Sequence, residues 1–87
     1  MSELLEHRIK RMKMRSMRRG IKEMDLILPV FADSRLAQMS EAELSIYDAL
    51  LSENDHDLYQ WVTGQVAPPE QFAATIVQIA TTLNKLD

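Results

Sequence analysis

Apolar residues in this chain recur at intervals of three and four from one end to the other, and nowhere alternate with polar residues over the length of a strand. That rhythm admits helices and argues against a sheet. Punctuation is sparse, with Gly only at 20 and 64 and Pro only at 29, 68 and 69, so the helices can be bounded directly. Leu, Ile, Val and Phe make up 23 of the 87 residues, enough apolar material to fold, while the length leaves no room for a second core. The expectation is an all-α protein, a small five-helix bundle forming a single domain over residues 1–87.

The first helix is expected over about residues 2–18, capped by Ser2 with Glu3 and Glu6 near the positive end of its dipole, and ended by Gly20. Leu5, Ile9 and Met12 form its apolar stripe, widened by Met14 and Met17, while Arg8, Arg11, Arg15 and Arg18 keep the same rhythm on another face. The second helix, about 22–39, turns Met24, Ile27, Leu28, Phe31 and Leu36 inward. Pro29 lacks an N–H and clashes with the Asp25 carbonyl, which predicts a kink near residues 25–29 or a late start. Ser40 and Glu43 have the spacing of a capping box and open the third helix, about 40–52, whose buried face is Leu44, Tyr47 and Leu51 with Ile46 and Leu50. Asn54 or Asp55 caps a fourth helix, about 55–63, with Leu58, Trp61 and Val62 apolar and Gly64 as its left-handed stop. Pro68 and Pro69 open the fifth, about 68–86, along which Phe72, Ile76, Ile79, Leu83 and Leu86 repeat.

The absence of cysteine excludes disulfides, thiolate zinc sites, iron–sulfur ligation and a cysteine nucleophile. His7 and His56 are the only histidines, and the cluster Asn54, Asp55, His56, Asp57 lacks the glycine and distal glutamate of a calcium loop, so it reads as a helix cap with acids at the dipole's positive end. No catalytic residue and no metal site are expected. The longest apolar stretch, Leu26 to Ala32, is far too short for a bilayer span and no apolar run near the start resembles a secretory signal, so no membrane insertion and a cytoplasmic location are expected. Tyr59 and Trp61 could stack on a ligand, but Trp61 shares a helical face with Leu58 and Val62, where an aromatic belongs to the core. The six methionines suit either an adaptable partner surface or the packing of a small core.

The net charge of −3 hides a segregation: residues 1–22 carry eight Lys or Arg against two Glu, and residues 23–87 carry two against eleven acids. Such a distribution bears on partners rather than on fold. Arg8, Arg11, Arg15, Arg18 and Lys22 at successive turns could track the phosphates of RNA or an anionic membrane surface, or could be solvated or protein-facing. Nucleic acid is disfavoured by the lack of interleaved aromatics and by the acidic remainder. Two readings of Arg19, Gly20 and Glu23 stay open. They are a helix end with a surface ion pair, or a side-chain-free patch where another protein's backbone comes close, fixed by the flanking guanidinium and carboxylate.

Arg19, Gly20, Ile21, Lys22, Glu23 has the form Arg-Gly-x-x-Glu and is followed by Met24, Asp25, Leu26; Met39 and Ser40, then Tyr47, Leu50 and Leu51, and the segment Asp55 to Trp61 follow at matching distances. Together these residues resemble the small bacterial SdhE-type proteins and the mitochondrial succinate dehydrogenase assembly factor 2 family, over about residues 18–64. The resemblance implies a non-enzymatic five-helix assembly factor, a chaperone that binds the flavoprotein subunit of succinate dehydrogenase and promotes its covalent flavinylation. The flavoprotein of fumarate reductase is a second implied client. FAD would be the client's cofactor, with none bound stably here. The motif match implies partner binding by Arg19, Gly20 and Glu23, with Arg18 and Asp25 as lesser candidates.

Overall fold

The computed structural model describes residues 4–85, and the proposed cap Ser2, Glu3 and the last apolar position Leu86 lie outside the described residues. Among the described residues five α-helices follow one another: α1 (Leu5–Arg15), α2 (Lys22–Arg35), α3 (Glu41–Leu50), α4 (Asp55–Val62) and α5 (Ala73–Lys85). One-turn 3-10 segments at Leu36–Gln38 and Glu70–Phe72 finish α2 and introduce α5. The all-α bundle expected from the periodicity is therefore the fold, and α2 is its central element, packed against α1, α4 and α5.

Local chemistry explains most of the boundaries. The Ser40 side chain accepts from the Glu43 N–H while the Glu43 carboxylate accepts from the Ser40 N–H, so both ends of the capping box are made. Asn54, not Asp55, caps α4, its side-chain oxygen taking the His56 N–H at 2.7 Å. Gly64, at φ +82°, stops α4 as expected. The Gln65 N–H reaches back to the Gln60 carbonyl and the Gly64 N–H to that of Trp61, the pair of bonds that define a Schellman ending. At Pro29 no late start occurs: α2 begins at Lys22 and runs through the proline, because the apolar face on both sides of it is buried.

That face supplies much of the core. Met24, Ile27, Leu28, Phe31, Ala32 and Leu36 are buried together with Met12, Leu44, Tyr47, Leu50, Leu51, Leu58, Val62, Phe72, Ile76 and Ile79. The Phe31 and Tyr47 rings meet at 5.3 Å, tilted by 41°. The Tyr47 hydroxyl lies 2.6 Å from Ser16 Oγ, which donates its own proton to the Met12 carbonyl, so this buried hydroxyl pair is satisfied where α1 ends. Burial pushes the Tyr47 phenol up to about 12, with the Ser16 bond and the charges of Arg19 and Arg15 opposing it.

Several expected core positions lie elsewhere. Leu5, Met14 and Met17 are exposed and only Met12 of α1 is fully buried, because α1 is short and offers the core one narrow stripe. Ile46 sits at the surface beside the buried Tyr47, whereas Trp61, half-buried, does pack against the core as expected, on Phe72 with ring centroids 6.0 Å apart.

Candidate partner-docking site

The turn between α1 and α2 is built differently from its sequence. α1 ends at Arg15 rather than at about 18, and the residue in the left-handed region is Arg18, at φ +56°; Gly20 does not have a positive φ. Gly20 is needed for another reason. Its N–H donates to Asp55 Oδ2 at 2.5 Å, and a Cβ on residue 20 would stand 3.1 Å from that same oxygen. A side chain would press on the carboxylate that anchors the turn.

Arg19 is the centre of that anchor. Its Nε donates to Asp55 Oδ1 at 2.9 Å, with a terminal nitrogen 2.8 Å from the same oxygen, and the two side chains are only 12% and 17% exposed. The other guanidinium donors reach the Arg15 carbonyl at 3.0 Å and the Leu51 carbonyl at 3.2 Å. One cation thus satisfies the otherwise unpaired carbonyls at the ends of α1 and α3, where the helix dipoles are negative, and pairs with an acid in the first turn of α4. The Arg19 N–H donates to Asp25 Oδ1 at 3.0 Å, so consecutive N–H groups of the turn are held by carboxylates from two helices.

The sequence-predicted residues are therefore brought together, but they divide into two sets. Arg19 and Asp25 are engaged within the chain, and Arg19 and Glu23 form no ion pair with each other. Gly20, Glu23 and Arg18 are exposed, and neither Glu23 nor Arg18 makes a side-chain hydrogen bond or ion pair with a described residue. In the sequence Asp55 reads as a helix cap and as the start of the segment that carries the resemblance, not as a site residue. Its place in the corner depends on a contact 36 residues from Arg19 that only the tertiary fold creates.

The basic stripe of α1 is also used internally. Arg8 donates to Ser45 Oγ at 2.6 Å, Arg11 to both oxygens of Asp48 at 3.1 and 3.0 Å, and Arg15 to Asp48 Oδ1 at 2.5 Å and Ser52 Oγ at 2.8 Å. Arginines at intervals of three and four on α1 face Ser45 and Asp48 on α3 and Ser52 just past its end, again at intervals of three and four. The Arg11 hydrogen bonds, with the charge of Arg15, hold the Asp48 carboxyl below the usual carboxylate range against its partial burial. Three of the five cations in the supposed polyanion track are thereby turned to a protein surface, and that surface is this chain's own. Among the described residues no three His, Cys, Asp or Glu side chains gather as metal ligands, and no helix is long and apolar enough to cross a membrane.

Residues 10–83 match the model of the Sdh5 family, described as the flavinator of succinate dehydrogenase. The chain belongs to this family. Among curated relatives it is similar to succinate dehydrogenase assembly factor 2, mitochondrial, of Drosophila grimshawi, 38% identical over 80 residues, covering 90% of this chain and 54% of the relative. The protein of the same name from Aspergillus terreus is 50% identical over 60 residues, covering 69% of this chain and 20% of the relative. That of Saccharomyces cerevisiae is 45% identical over 62 residues, covering 71% and 38%. The chain spans about half or less of the length of these relatives. Their names correct the expected cytoplasmic location: they are mitochondrial proteins, pointing to mitochondria rather than to the cytoplasm alone. A cysteine-free helical bundle has no chemistry that separates those compartments.

Proposed function

We propose that this protein is a non-catalytic succinate dehydrogenase assembly factor that binds the flavoprotein subunit and promotes covalent attachment of FAD to it. The family description and the relatives' names support the assembly role. The observation that carries the docking site is an exposed turn at Gly20 whose neighbouring N–H groups and guanidinium are all fixed from behind by Asp25 and Asp55. A surface held this rigidly loses little freedom when a partner covers it. Gly20, Glu23 and Arg18 then face the client, while Arg19, Asp25 and Asp55 position them.

The helper's contribution is to conformation. In the attachment the flavin's 8α methyl gives up a proton, a flavoprotein histidine adds to that carbon while the electron pair passes into the ring, and an external electron acceptor reoxidises the reduced flavin, so the rate depends on holding nucleophile and carbon in register. A protein that binds the conformer in which they meet raises its population in proportion to its preference for it. FAD on this reading belongs to the client, and the fumarate reductase flavoprotein is a second client. The test is deletion of the gene followed by in-gel fluorescence of the denatured flavoprotein. Loss of the covalent flavin signal is expected, and an unchanged signal would overturn the proposal.

A further inference from the structure

Two methionines next to the docking turn have no structural use. Met14 on α1 and Met17 just past its end are 65% and 49% exposed, although Met12, one turn earlier, is fully buried. With Arg18 they line a shallow cup of about 150 Å³. Arg18 itself holds the left-handed conformation that a glycine would adopt with less strain, and its side chain has no partner among the described residues. Every other arginine of α1 and the turn is paired inside the molecule, so Arg18 is the arginine of this segment that the fold leaves outward.

We infer that this cup is the apolar anchor point of the docking site, and that it takes a protein surface presenting one apolar side chain flanked by a carboxylate. The inference rests on the reading above, in which the flavoprotein docks at the Gly20 turn. Charge complementarity selects the partner: the cup is lined by a cation and no acid. Thioethers conform to an inserted side chain, and Met and Arg are the residue types enriched where protein interfaces are fully desolvated. The strained φ of Arg18 is then a local cost retained for binding.

Two variants separate this role from a structural one. Arg18→Gly removes the charge and relieves the backbone, so the melting temperature should rise by roughly 5 °C while affinity for the purified apo-flavoprotein falls about tenfold. Met14→Gln combined with Met17→Gln keeps the helix and side-chain length and should weaken binding about as much. Calorimetric titration of wild type, both variants and Gly20→Arg reads the result. Variants that bind within twofold of wild type overturn this inference alone, leaving the docking turn to Gly20→Arg. A wild-type protein that does not bind overturns the reading beneath it as well.

Discussion

Replacing Asp55 by alanine should destabilise the protein far more than its place in the first turn of a surface helix suggests. The substitution removes both charged contacts to Arg19 and the acceptor of the Gly20 N–H. Arg19 is 12% exposed and would keep only two carbonyl acceptors, those of Arg15 and Leu51. Loss of one partner from a fully buried ion pair costs about 3–5 kcal/mol, and a charged hydrogen bond contributes about 1.5–3 kcal/mol. Discounting for the remaining solvent access gives about 2–3 kcal/mol, a large share of the total for a domain of this size. Asp57, exposed on the same first turn with no side-chain partner among the described residues, supplies the control: its alanine variant feels only the dipole, about 0.3–1 kcal/mol. Urea melts of the two variants, with the Arg19→Ala and double variants completing a cycle, measure the coupling. A coupling energy under about 0.5 kcal/mol, or equal losses for Asp55→Ala and Asp57→Ala, would refute the clamp.

Other consequences concern pH. Asp48→Asn should cost about 1–2 kcal/mol near neutrality by weakening the Arg11 and Arg15 bonds. Because the folded carboxyl titrates below its unfolded value, this contribution is present above about pH 4 and is lost as the pH falls through the lowered folded value. The stability gap between wild type and variant should therefore close in acid, and a gap that persists at pH 2 would contradict the assignment. Tyr47 acts at the other end: with its folded phenol pushed up to about 12, stability is intact below about pH 10 and declines from there toward pH 12. Tyr47→Phe should remove that alkaline decline in chemical denaturation.

What could be read in advance was what is encoded locally. The capping box at Ser40 and Glu43, the left-handed Gly64 and the apolar spacing along α2 each lie within one or two helical turns, and each is found where the sequence puts it. The corner was located but its internal logic was not. Arg19 and Asp55 are separated by 36 residues, and nothing local says that the motif arginine turns inward. The same holds for the left-handed residue, which propensity assigns to Gly20 and the fold gives to Arg18. The facing of α1 on α3 did leave a trace, since the spacing of Arg8, Arg11 and Arg15 is repeated by Ser45, Asp48 and Ser52. Comparing polar faces of separate helices, rather than reading each alone, would have exposed it.

The central claim is that the turn at Gly20 is where the flavoprotein docks. It is tested most directly by the affinity of Gly20→Arg for purified apo-flavoprotein, with circular dichroism confirming that the helices are intact. A loss of binding of about a hundredfold or more at unchanged helicity is predicted; affinity equal to that of wild type would place the contact elsewhere on the bundle.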